Sequence, residues 1–94
     1  MQELPTLQEI EKVSRIFKLL SDATRLKILL TLEQGERNVT SIAEVVQMEQ
    51  SAVSHQLKLL KDNRMVKARR EGKTVFYRLD DQHVFDILEE TLEH

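Results

Sequence analysis

The three histidines of this 94-residue chain stand at 55, 83 and 94, and no cysteine accompanies them. Without thiols there is no disulfide scaffold, no thiolate metal site and no thiol redox sensor. The chain has neither a glycine-rich phosphate loop nor an HExxH pair, so an enzyme is not expected. The chemistry the residues do offer is cationic. Residues 50–79 carry Lys58, Lys61, Arg64, Lys67, Arg69, Arg70, Lys73 and Arg78 against Asp62 and Glu71, a local balance of +6. Residues 1–49 balance at −2 and residues 80–94 at −6, so the formal net charge of −2 conceals a stretch suited to phosphate.

The elements that must present these cations are mostly helices. In residues 6–20, Leu7, Ile10, Val13, Ile16 or Phe17, and Leu20 recur at helical spacing behind Pro5. A second helix is expected from about Asp22 to Glu33, capped by Ser21 or Asp22 and stopped at Gln34-Gly35. Its Leu26, Ile28, Leu29, Leu30 and Leu32 cover nearly every side, as in a central helix with several neighbours. A short helix over roughly 40–46 follows, with Asn38 or Thr40 as its cap. Three residues, Gln47-Met48-Glu49, then lead to a helix over about 50–62. Val53, Leu57 and Leu60 turn inward there and leave Ser51, Ser54, His55 and Lys58 outside. Two helices joined this tightly, the second with a polar outer face, make a helix-turn-helix pattern.

Met65–Arg70 and Thr74–Leu79 alternate apolar and polar around Glu71-Gly72-Lys73, which predicts a two-stranded hairpin with Gly72 at its tip. A basic hairpin after a helix-turn-helix is a wing, whose tip would reach phosphate or the minor groove. A last helix is expected from 81 to about 92, begun by Asp80 or Asp81, with Val84, Phe85, Ile87, Leu88 and Leu92 apolar. The expected fold is therefore mainly α (α+β): a single winged helix-turn-helix domain over residues 1–94, in the order four helices, two strands, one helix. The first and last helices carry more apolar surface than so small a core can hide. A homodimer is expected through some of Leu7, Ile10, Ile16, Phe17, Val84, Phe85, Leu88 and Leu92. No apolar run approaches a membrane span and the first 20 residues lack a signal-peptide pattern, so a cytoplasmic protein is expected.

The runs DATRLKIL at 22–29, QSAVSHQLKLL at 50–60, VKARREGK at 66–73 and FYRL at 76–79 resemble the ArsR/SmtB family of metal-sensing repressors, most of all its zinc- and cobalt-responsive members that control metal efflux. The resemblance spans essentially the whole chain. It implies a dimeric repressor that binds an inverted-repeat DNA operator and lets go when its effector binds. It assigns base reading to Gln50, Ser51, Ser54 and His55, residue types that pair with base edges in the major groove. The phosphate grip would come from Lys58, Lys61, Lys67, Arg69, Arg70 and Lys73.

The same resemblance implies a sensor site on the last helix, where an Asp-x-His pair matches Asp81 and His83 and a further histidine matches His94. Positions 83 and 94 are eleven apart, about three helical turns, so they share a side but lie about 16 Å apart along one helix. Two last helices packed antiparallel would bring Asp81 and His83 of one chain beside His94 of the other. Such oxygen and nitrogen ligands suit zinc and tolerate cobalt or nickel. The family's fourth ligand, a histidine three residues past position 94, is missing from this chain. Two other readings compete: a repressor of the same fold answering a non-metal ligand or a protein partner, and a non-enzymatic interaction module. The latter predicts no salt-dependent affinity for duplex DNA.

Overall fold

A computed structural model describes residues 4–80. Helix α1 (Leu7–Leu20) starts at Thr6, whose hydroxyl accepts the Glu9 N–H at 3.1 Å. Helix α2 (Ala23–Glu33) starts at Asp22, whose carboxylate accepts from the N–H groups of Thr24 and Arg25. Asn38 caps helix α3 (Val39–Val46) by accepting the Ser41 N–H at 2.8 Å, so one of the two candidate caps is used. Helix α4 spans Gln50–Asp62. Strands β2 (Val66–Glu71) and β3 (Thr74–Leu79) pair antiparallel with Glu71 opposite Thr74. The hairpin loop is thus Gly72-Lys73. Gly72 has φ of 63°, the positive value that a two-residue loop with glycine first requires.

The expected order of elements needs one correction. Arg37–Asn38 form a short strand, β1, that pairs antiparallel with β3, so the sheet has three strands in the order β1-β3-β2. Arg37 lies opposite Tyr77 and Asn38 opposite Phe76. Two residues are too few to show an alternating pattern, and what makes them a strand is backbone pairing to a distant partner. The last helix expected over 81–92 lies outside the described residues.

The core is assembled where these elements meet. Ile28, Leu29, Ile42, Val53, Leu57 and Leu60 are fully buried, joined by Leu32, Met65 and Val66. Helix α2 contributes on several sides, as its apolar sequence requires. Its one buried polar side chain, Thr31, donates to the Lys27 carbonyl at 2.7 Å and so satisfies its hydroxyl within the helix. At its far end α4 turns into the wing through Arg64, a left-handed residue (φ 58°), with the Met65 N–H bonded to the Leu60 carbonyl. That turn fixes the wing to the end of α4.

Helix α1 behaves differently. Only Leu19 is buried, while Ile16 and Leu20 lean on the core. Leu7, Ile10, Val13 and Phe17 remain 71%, 48%, 50% and 58% exposed. The apolar arc of α1 is wider than the core it touches. Ile16, one of the residues offered for the dimer, is partly buried against its own chain's core.

Candidate nucleic-acid interface

The outward face of α4 is built by its inward one. Val53, Leu57 and Leu60 are fully buried, and this anchoring rotates Gln50, Ser51, Ser54, His55 and Lys58 into solvent. The first turn of α4 has no side-chain cap: Glu49 occupies the cap position in extended backbone but accepts no hydrogen bond from it. The N–H groups of that turn are open to an anionic partner, as helix starts that meet phosphate are. The turn before it is held by Gln47 in left-handed backbone (φ 58°, ψ 52°), with the Met48 N–H bonded to the Ala43 carbonyl at 3.1 Å.

A second set of contacts sets the angle of α4 from behind. Arg25 Nε donates to Gln56 Oε1 at 3.0 Å, linking the start of α2 to the middle of α4. Arg25 is itself steered by Asp22, whose other carboxylate oxygen lies 3.7 Å from its guanidinium. Sequence reasoning passed over Arg25 and Gln56, because partners 31 positions apart leave no local signal.

The basic residues divide into two groups. Arg70 and Lys73, at and beside the wing tip, are exposed and make no ion pair among the described residues, and the same holds for Lys61 on α4. Lys58 pairs with Asp62 at 3.5 Å, but both side chains are mostly in solvent, where such pairs are weak. Lys67 lies 3.4 Å from Asp80 at the wing root. Arg69 is the most engaged. Its Nε and Nη2 both donate to Glu36 Oε1, at 2.8 and 2.6 Å, and its Nη1 donates to Glu71 Oε2 at 2.9 Å. Its guanidinium carbon stands 4.8 Å from the Phe76 ring centre. The hydrogen bond from Arg69 holds the Glu36 carboxyl below its ordinary pKa, aided by the positive charges of Arg69 and Arg78 and opposed by slight burial.

Register explains the contrast between neighbouring arginines. Residues 66 and 68 turn toward the core with their partners Leu79 and Tyr77, so Arg70, opposite Val75, continues that face beyond it. Arg69, opposite Phe76, lies on the other face with Lys67 and Arg78. Asp81, His83 and His94 lie outside the described residues. Among the described residues no cluster of His, Asp or Glu could hold a metal ion.

A helix-turn-helix with a polar outward face, followed by a hairpin with free cations at its tip, is a DNA-reading arrangement. The sequence profile of the bacterial regulatory proteins of the arsR family matches residues 22–68, which are the core of this arrangement. The chain belongs to the arsR family. A transcriptional repressor SmtB homolog from Synechocystis is 36% identical over 92 residues, covering 98% of this chain and 70% of the relative. Among solved structures, the antimony-specific transcriptional repressor AntR is 39% identical with a TM-score of 0.87, covering 97% of this chain and 83% of that one. The homodimeric winged helix-turn-helix DNA-binding domain from Mycobacterium bovis is 33% identical with a TM-score of 0.84, covering 98% and 87%. As an arsR-family protein the chain is a DNA-binding regulator of transcription and not an enzyme. No helix among the described residues is long and apolar enough to cross a membrane.

Proposed function

We propose that this protein is a dimeric repressor that grips an inverted-repeat operator and releases it when zinc, or a similar divalent ion, binds Asp81, His83 and His94 of the two chains. The observation that carries the DNA half is the anchored polar face of α4 standing beside the unpaired cations of the wing tip. Gln50, Ser51, Ser54 and His55 meet base edges, while Arg70, Lys73, Lys61 and Lys58 meet phosphates. A second copy closes on the exposed stripe of α1, which brings two α4 helices to successive major grooves.

The donor set supports the choice of ion. A relative is named for antimony, yet this chain has no cysteine and offers no thiolate to a soft metalloid. Two imidazoles and a carboxylate are borderline-to-hard ligands that zinc accepts. When bound, the ion supplies a tether between the two chains that favours one dimer shape. The residues' own part is to present deprotonated coordinating atoms: an imidazole must be neutral to bind the ion, so binding weakens in acid.

The test is duplex binding with chelator and with buffered zinc, cobalt or nickel, paired with zinc titration calorimetry on the wild type, His83→Ala and His94→Ala. A coupling of about 3 kcal/mol lowers operator affinity about 150-fold, and DNA lowers zinc affinity by the same factor. Tight zinc binding indifferent to both substitutions, or zinc occupancy that leaves DNA affinity unchanged, would reject the site.

A further inference from the structure

The wing carries two adjacent arginines, and charge alone would send both to DNA. The geometry points to a different role for one of them. We infer that Arg69 is a positioning residue that clamps the wing to the α2–α3 connection through Glu36, rather than a phosphate contact. The inference rests on the chain binding DNA through α4 and the wing. Three of its guanidinium nitrogens are already committed, two to Glu36 and one to Glu71, and its flat face is laid near Phe76. To reach a phosphate it would have to break charge-assisted hydrogen bonds and leave two carboxylates unpaired beside a polyanion. Glu36 precedes β1 directly, and Phe76 is the β3 residue opposite Asn38. The clamp therefore lies over the place where the helical half of the molecule is stitched to the wing. Asn38, inside that stitch, also caps α3. One residue thus fixes the wing relative to the helix-turn-helix, while its neighbour Arg70, on the opposite face of the strand, is left for DNA.

The two readings of Arg69 predict opposite signs for one substitution. If Arg69 holds phosphate, Glu36→Gln removes a competing negative charge and tightens DNA binding. If Arg69 is a clamp, Glu36→Gln loosens the wing and weakens binding although the chain has become more positive. The experiment measures affinity of the full chain for a duplex selected by this protein from a randomised library, and for a random-sequence duplex, across a salt series. The expected result is a loss of about 3- to 10-fold on the selected duplex for Glu36→Gln, Arg69→Gln and the double variant alike, because the pair acts as a unit. The slope of log affinity against log salt stays at the wild-type value for all three. Arg70→Gln, the comparison, lowers that slope by about 0.9 for each chain's lost phosphate contact. Tighter binding by Glu36→Gln, or a slope reduced by Arg69→Gln, would overturn the assignment. Amide exchange at Arg37, Asn38, Phe76 and Tyr77 gives a readout without DNA. Protection of the β1–β3 ladder should fall at least several-fold in Glu36→Gln, and unchanged protection overturns the clamp even if the chain bound no duplex at all, a result that would separately defeat the DNA reading.

Discussion

Gln47 spends its place in the turn in left-handed backbone, a conformation that costs a residue with a Cβ about 1 kcal/mol and glycine almost nothing. Its side chain is exposed, so Gln47→Gly removes no packing. We expect that substitution to raise stability by about 0.5 kcal/mol, the gain being trimmed by the freer unfolded chain, and urea unfolding would show it as a higher midpoint at unchanged slope. The residues on the outer face of α4 make a different kind of claim. Ser54→Ala and His55→Ala should each weaken binding to the selected duplex by about 1 kcal/mol or more while sparing random duplex, because base-edge contacts carry discrimination. Fluorescence anisotropy on both duplexes checks this, and equal losses on the two would remove these side chains from base reading.

Among the elements, the helices were the most legible. Their apolar periods gave α1, α2, α3 and α4 to within a residue or two, since burial repeats every turn and leaves its trace in composition. The inward residues of α4 and the glycine at the hairpin tip were legible for the same reason: each is a local requirement met by a local residue type. Strand β1 was not, because Arg37-Asn38 earns its place by pairing with residues far along the chain. The division of the cations was equally hidden. Near Arg69 in sequence only Glu71 sets it apart from Arg70, and the partner that ties it to the helical half, Glu36, is 33 positions away. The seat of α4 follows this rule too. Asp22→Ala deletes a helix cap and frees Arg25, and should cost about 1 kcal/mol or slightly more of stability. Arg25→Lys keeps the charge but loses the Nε bond to Gln56, and should lower affinity for the selected duplex with no change in salt slope.

For the whole molecule, the stripe of Leu7, Ile10, Val13 and Phe17 holds four of the six exposed large hydrophobic side chains among the described residues. Phe17 is 58% exposed on the single chain, so a charge there does not disturb the core. If a second copy covers it, Phe17→Glu buries a carboxylate only in the dimer and should shift the protein to monomer with its helical content intact. Sedimentation equilibrium together with circular dichroism is the measurement. A dimer undisturbed by Phe17→Glu would place the contact elsewhere.

The pairing of β1 with β3 also has a consequence in time. Residues 37 and 77 are forty positions apart, so a chain made from its N-terminus presents β1 long before its partner exists. Asn38 has a local task while it waits, since its side chain can cap α3 as soon as Ser41 has emerged. The hydrogen bonds within each helix are of short range and can form first, whereas the β1–β3 ladder closes a long loop and comes late. The order of assembly then runs from reading helix to wing. The wing is seated against a helix-turn-helix already in place, so its final angle is a record of how well the earlier part has folded.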